Sequence, residues 1–465
     1  MKMLVAIASY GTGNDRYLAR LIQEFHSMSF PVDIVVLSNL EKEIGSGVEL
    51  VVGLPYGNPW TLPFPHKKIF ADRLNNYDLF LYCEDDMLVT ERNIRAFLEV
   101  NRDLPEKEIP GFLRFEESGQ DRNYPEFHGP FHWDTASLRR RGPYTTARFT
   151  NEHAGCYLLT QAQLRSAIKS GGFLVGPHEG RYDLLCTAAT DPYTQCGFEK
   201  VICVSRIDDF VIHHLPNKYM GTEFGIDEKE FRRQTHVLME LAEKGEEPRS
   251  IFSTETKLRG AVYSKNYYER PHKELATILP PEVKTVLSIG CGWGAAEAWL
   301  TEQGLTVTAI PLDPVVPGCA GGTGVELVRG DLESARIELA GRTFDCLLLI
   351  NVLHLLENPP AMLSSFKNLL SGPSVVITLV PNMARPYRPW RREKGDVVKV
   401  VNFQESGAHF VSHRVVRKWF RQSGMRVKKT VDVLTPRAQM LSDLVFGLAD
   451  SRFSSEFLSI AEPRG

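Results

Sequence analysis

An apolar run from Val286 to Ile289 passes directly into Gly290-Cys291-Gly292-Trp293-Gly294 and then into Ala295-Ala296-Glu297. This order reads as strand, glycine loop and helix start. Alternate glycines let a backbone turn sharply and approach a ligand that a Cβ would hold away. The position of the loop constrains the chain more than the loop itself. A nucleotide-type pocket opening at residue 286 of 465 leaves a domain's length of chain ahead of it. Two domains with separate tasks are therefore expected.

Composition narrows the class. Apolar residues are 43% and charged residues 24%, as in ordinary globular proteins. The net charge of −3 exerts no general pull on nucleic acid or anionic lipid. No apolar run approaches the roughly 20 residues that span a bilayer. The N-terminal run reads as a first strand, not as a secretion signal. Eight cysteines are scattered without a CxxC pair, which predicts structural thiols and a cytoplasmic setting.

Short apolar strands are expected at residues 4–8, 32–37, 48–52 and 79–82, with amphipathic helices at 16–27 and 93–100. Such alternation argues for a layered α/β domain. Residues 105–150 lack clean periodicity and read as long loops with short strands. A helix is expected at 228–244, stopped by Gly245-Glu246-Glu247-Pro248, with a polar linker from there to about Pro271. The alternation then restarts, with strands at 285–289, 306–310, 325–329, 346–350 and 375–380. Helices are expected at 295–303, 362–370 and, capped by Ser412, 413–422.

From Tyr267 onward the chain resembles the class I S-adenosylmethionine-dependent methyltransferases. The resemblance rests on four ordered pieces: the glycine loop, Ile310-Pro311-Leu312-Asp313, Gly330-Asp331-Leu332, and the run from Phe344 through Asn351 to Leu356. It implies a Rossmann-like domain over 265–465, with S-adenosylmethionine held by Gly290, Gly292, Gly294, Asp313, Asp331 and Asn351. The family usually opens the glycine motif with an acidic residue, where this chain has Ser288. It usually ends strand two with another, where this chain has Pro311. A carboxylate there would accept from both ribose hydroxyls, and Asp313 is the nearest. Those departures keep open a non-catalytic binding or scaffold role. His354 and, second, His409 are candidate bases for the acceptor. The basic stretch from Arg414 to Arg421, with Arg426, Lys428 and Lys429, reads as a solvated face, with an acidic sugar or phosphate site as the alternative.

In the first half, an apolar strand runs into Glu84-Asp85-Asp86 before apolar residues resume. Carboxylates gathered at a strand end need solvent, cations or a metal to offset their burial, and hard divalent cations prefer oxygen ligands. Ser9-Tyr10-Gly11 follows the first strand, and His213-His214 comes late in the domain. Together these resemble metal-dependent glycosyltransferases of the GT-A fold, over residues 1–250. The resemblance implies Mn²⁺ or Mg²⁺ on Asp86 and Glu84 with His213 or His214, and a nucleotide-sugar donor against Ser9, Tyr10, Gly11 and Asp85. It also implies an acidic base, for which Glu179 and Asp183 are candidates and Asp191 a more distant one. His132-Trp133-Asp134 and the stretch Asn151-Glu152-His153 are expected to shape the acceptor cleft. The expected whole is a bifunctional α/β enzyme adding sugar and methyl groups to a glycan or glycolipid. A nucleotidyltransferase remains the alternative for the first domain, since it too uses acidic metal sites.

Overall fold

The computed structural model describes residues 1–465 except 223, 246–249, 257, 259–262, 273, 276–277, 319, 385–401, 435–453 and 465. Cys319 and the expected stop at Glu246-Glu247-Pro248 thus lie outside the described residues. The chain divides into two compact units, Met1–Glu246 and Glu247–Gly465.

The strands of the first unit are, in chain order, β1 (Met3–Ser9), β2 (Val32–Ser38), β3 (Val48–Val52), β4 (Leu79–Glu84), β5 (Met87–Leu88), β6 (Glu108–Pro110), β7 (Leu113–Ser118), β8 (Asp121–Tyr124), β9 (Trp133–Arg141), β10 (Tyr144–Phe149), β11 (Cys156–Thr160), β12 (Glu199–Cys203), β13 (Val211–His214) and β14 (Ile226–Asp227). The main sheet has the order β11-β4-β1-β2-β3. Its strands β1 to β4 are parallel and β11 is antiparallel to β4. Every residue of β1 is buried, which is why it reads as an unbroken apolar run. The helix Asp15–His26 covers the sheet with Leu18, Leu21, Ile22 and Phe25.

Chain order reverses between β1 and β4, since β2 and β3 build outward on one side and β4 on the other. Such a reversal opens a crevice at the carboxyl ends of the two strands. Register places Ala8 beside Glu84 there, so the Ser9 turn and the acidic turn meet. The two-strand pairing of β5 with β13 matters next. It sets Met87 opposite His214 and Leu88 opposite His213, which brings the late histidines to the acidic turn.

Residues 105–150 hold more regular structure than expected, namely β6 to β10. Their periodicity is hard to read because most are short and buried positions do not alternate regularly along them. Trp133, Tyr124, Phe127 and Phe149 are wholly buried. They pack with Phe231 of the helix Glu228–Lys244. Trp133 is therefore core and does not line an acceptor cleft. That helix starts on Asp227, which accepts from Glu230 N, and ends at Gly245 with φ +66°.

The second unit contains β15 (Thr285–Cys291), β16 (Thr306–Pro311), β17 (Glu326–Leu327), β18 (Phe344–Ile350), β19 (Leu370–Pro381), β20 (Met425–Val433) and β21 (Glu456–Pro463). They form one sheet of order β17-β16-β15-β18-β19-β21-β20, with β21 antiparallel to both neighbours. Again the order reverses at the first strand, between β15 and β18. The stretch expected as linker belongs to this unit. Ile251 and Tyr267 are buried in its core, with Phe252 and Tyr268 packed alongside. Among the described residues, no helix is long and apolar enough to cross a membrane, and seven cysteines are free thiols.

Candidate functional sites

At the first crevice, Asp85 is buried and held by two donors. Ser9 Oγ donates to its Oδ2 at 2.6 Å and Asn14 Nδ2 to its Oδ1 at 2.7 Å. Burial still raises its pKa to about 6, against the lowering effect of those two donors. Asp85 therefore ties the two turns together. Tyr10 is exposed, and Gly11 holds φ +63° while its N–H donates to Asn39 Oδ1 at 2.7 Å.

Asp86 lies between the two turns: its Oδ2 accepts from Asn14 Nδ2 at 3.4 Å and also faces β13. His214 Nε2 lies 3.6 Å from Asp86 Oδ2, and its Nδ1 lies 2.6 Å from Glu116 Oε1. Glu116 is wholly buried on β7 and also accepts from Tyr219 N at 2.7 Å. Burial opposes a charged His214 ring, but Asp86 and Glu116 together outweigh it and the pKa stands above the ordinary value. Asp86 Oδ1 is buried without a hydrogen-bond partner.

The two histidines do different work because neighbours on a strand face opposite ways. His213 stacks on Phe115 at 4.9 Å and its Nε2 lies 3.2 Å from Asn217 Oδ1. It is not brought to Asp86 and drops out as a ligand candidate. Glu84 turns toward His153, whose Nε2 is 3.5 Å from Glu84 Oε1. Burial acts to raise the Glu84 pKa, yet His153, Arg114 and His214 hold it below the usual range. Behind them Arg114 pairs with the wholly buried Glu126. Buried Lys200 has its pKa lowered to about 8, chiefly by burial. Among the described residues, no three His, Cys, Asp or Glu side chains form a metal-holding group. Of the four expected ligands, Asp86 and His214 are the two brought side by side.

Two of the expected bases have local partners. Asp183 caps the helix Leu184–Thr194, accepting from Cys186 N at 2.9 Å. Asp191 is wholly buried against Lys67, so it is not poised to take a proton from an acceptor. Glu179 is exposed.

In the second unit, each glycine of the loop has its own reason. Gly290 and Gly294 hold φ +79° and +91°. A Cβ on Gly292 would stand 2.4 Å from Tyr267 O, because Trp293 N donates to that carbonyl at 2.7 Å. The missing acid at Ser288 has a replacement from the following helix. Ser288 Oγ donates to Glu297 Oε1 at 2.6 Å, and both are buried. Burial raises the Glu297 pKa, against Ser288 and nearby Lys265. Lys265 is itself buried, bonded to Glu269 and to Ile350 O.

Other expected residues carry local duties. Asp313 Oδ1 accepts from Val315 N and Val316 N at 2.7 and 3.0 Å, fixing the loop after β16. Asp331 caps the helix Leu332–Glu338, accepting from Ser334 N at 2.8 Å. Asn351 follows β18 with φ +52°, an uncommon backbone for a non-glycine residue. Its Nδ2 donates to Glu456 Oε1 at 2.7 Å, while its Oδ1 is buried without a partner. His354, expected as a base, is engaged through one ring nitrogen, while its Nδ1 is buried without a hydrogen-bond partner. It is wholly buried, its Nε2 lies 3.2 Å from Tyr263 O, and burial lowers its pKa to about 3. His409 Nε2 is likewise spent on Leu356 O and Glu357 O.

Sequence reasoning missed the parts played by Glu116, Lys265 and Glu297, and it placed His153 in an acceptor cleft and not beside Glu84. Glu297 stands alone among apolar residues, while Glu116, His153 and Lys265 have polar neighbours in the chain; none has a sequence neighbour that is its partner in the fold.

No curated protein matches the chain. Among solved structures, an S-adenosylmethionine dependent methyltransferase from Mesorhizobium loti is 19% identical, over 40% of this chain and 95% of that one, with TM-score 0.31. One from Archaeoglobus fulgidus is 16% identical, over 40% and 90%, with TM-score 0.30. The CcbJ methyltransferase from Streptomyces caelestis is 13% identical, over 41% and 88%, with TM-score 0.31. The family model described as "Methyltransferase domain" matches residues 263–430, so the second half of the chain carries a methyltransferase domain.

Proposed function

We propose that the chain is a bifunctional transferase: its second unit moves a methyl group from S-adenosylmethionine, and its first moves a sugar from a nucleotide donor with a divalent cation. The methyl half is supported by the matched domain together with the strained glycine loop at the sheet reversal. Methyl transfer is in-line displacement at a sulfonium carbon, so positioning supplies most of the catalysis. Backbone at Gly290, Gly292 and Gly294 would cradle the cofactor, and Asn351 Oδ1 offers an unspent acceptor on the same edge.

The sugar half is carried by one observation, the row Glu116, His214, Asp86 at the end of β4. A buried carboxylate on the far nitrogen of a histidine is the usual support for a metal-bound imidazole. Asp86 Oδ1 and His214 Nε2 suit a divalent cation, with diphosphate and water completing its shell. When bound, the cation offsets charge on a leaving diphosphate. Asp85, Ser9 and Asn14 hold the turns that would flank the nucleotide. An acceptor of glycan or glycolipid type, with both groups added to one product, completes the reading.

Calorimetric titration tests both halves. S-Adenosylhomocysteine is expected to bind without metal, and a nucleoside diphosphate only with Mn²⁺. Loss of the second signal in Asp86→Ala, with the first kept, is the expected pattern. Binding of neither ligand by the intact chain would overturn the proposal.

A further inference from the structure

A second, separate feature of the methyltransferase unit is a cavity of about 320 Å³ lined by Arg417, Arg421, Arg426, Lys428, Lys429 and Arg464, together with Met425, Val427 and Thr430. None of these lining residues is acidic. Three elements converge to build it. Arg417 and Arg421 come from one face of the helix His413–Gln422, whose opposite face buries Val416, Trp419 and Phe420. Arg426, Lys428 and Lys429 come from β20. Arg464 follows β21 and is pinned when its N–H donates to Gly424 O at 2.9 Å. Among the described residues, one of the six cations has a carboxylate partner, Glu462, at 2.8 Å from Lys428.

Two plainer explanations are available and neither covers the arrangement. Charged residues on an edge strand discourage pairing with other chains, and β20 is an edge strand. Edge protection needs no arginines from the neighbouring helix or from beyond β21. A solvated helix face explains Arg417 and Arg421 but not their meeting with four further cations in a concavity. Like charges at i and i+4 on a helix slightly destabilise it. The strand is also bulged between Val427 and Lys429. A bulge breaks the alternation that would send Lys428 and Lys429 to opposite faces.

Topology separates this cavity from the cofactor edge. β20 is antiparallel to β21, which is antiparallel to β19, so β20 runs parallel with β15 and β18. The glycine loop follows the carboxyl end of β15, whereas the cavity begins at Met425, the amino end of β20. The two lie on opposite edges of one sheet.

We propose that this cavity is a binding site for a compact phosphate-bearing ligand of the diphosphate class, distinct from the methyl-donor site. Guanidinium forks match phosphate oxygens in pairs, and the lysines add point charges. The volume lies at the lower end of small-ligand sites, suited to a phosphate group more than to a bulky apolar body. The ligand could be a free diphosphate or the headgroup of a diphosphate-linked lipid, which share this chemistry.

The test uses the full chain with EDTA and low salt, so that no cation supports binding at the first unit. Inorganic pyrophosphate is titrated, and vesicles of phosphatidylcholine with and without phosphatidic acid are tested for co-sedimentation. Pyrophosphate is expected to bind. The exposed double variant Arg417→Ala with Arg421→Ala is expected to weaken it about tenfold or more, and Lys418→Ala, outside the cavity, less than about twofold. Pyrophosphate binding alone supports a free ligand, and binding of both probes supports a headgroup. Absence of pyrophosphate binding, binding to vesicles alone, or equal loss in Lys418→Ala would each overturn the proposal. S-Adenosylhomocysteine binding in the double variant is expected unchanged, which separates this site from the proposed methyl-donor site.

Discussion

His214 Nε2 lies 3.6 Å from Asp86 Oδ2, with Glu116 fixed on the opposite ring nitrogen. Residues 98 positions apart, Glu116 and His214, thus act on a turn that neither is near in sequence. If this row holds a cation, Glu116→Gln should lower Mn²⁺-dependent nucleoside diphosphate affinity by about 10–100-fold, the range for lost outer-sphere support. His214→Ala should cost at least as much, and His213→Ala much less. Calorimetry on the three variants checks the order; equal effects from His213 and His214 would refute it.

The Ser288–Glu297 pair predicts a stability effect. Ser288→Ala removes a donor from a buried carboxylate at a cost of about 1–3 kcal/mol. The Glu297 pKa is raised, so the folded state holds its proton more tightly than the unfolded chain. Its contribution is therefore largest below the unfolded pKa and declines as pH rises through the folded one. Glu297→Gln should flatten that decline, read as melting temperature against pH.

Gly292→Ala should disrupt the second unit more than its size suggests. The added methyl would meet Tyr267 O at 2.4 Å, which is backbone and cannot swing aside. Overpacking of this kind costs about 1–3 kcal/mol. Loss of S-adenosylhomocysteine binding is expected, with a lowered melting transition; unchanged affinity would show that the loop does not approach the cofactor.

His354 predicts acid sensitivity. Its pKa falls from 6.5 to about 3 on burial, so the unfolded chain binds more protons between those values. Stability is kept above pH 6.5 and lost progressively as pH falls toward 3, by up to about 5 kcal/mol from this group. His354→Gln should lose much of that slope. If His354 were instead the methyl-transfer base, the variant would lose turnover with no change in acid stability.

Lys67 and Asp191 form a buried ion pair with side chains 3% and 0% exposed. Either partner left alone is costly, about 3–5 kcal/mol. Asp191→Asn should therefore unfold the first unit at lower denaturant, and Lys67→Met with Asp191→Leu should recover much of the loss. An Asp191 variant that kept full stability but lost sugar transfer would restore it as a base.

The elements with strong periodicity were legible. The expected strand at 48–52 matches β3, Val48–Val52, and Ser412 caps its helix by accepting from Val415 N. Strands without a regular alternation of buried and exposed positions were not legible, which is why β6 to β10 read as loops. Nor did β20 stand out, since an edge strand rich in lysine resembles a solvated helix face. The stretch near 250–268 looked polar enough for a linker, yet Ile251 and Tyr267 enter a core that only the fold assembles.

Local sequence was enough to specify strand ends, turns and caps, because backbone freedom at glycine, apolar period and side-chain capping act over a few residues. It therefore specified that one loop is bare backbone and one turn is acidic. Which partners those places meet was decided by strand order and register. Pairing of β5 with β13 selected His214 over His213, and the helix after the glycine loop supplied Glu297 to Ser288. Those contacts join residues that have no local reason to be related, so their chemistry exists only once the chain is packed.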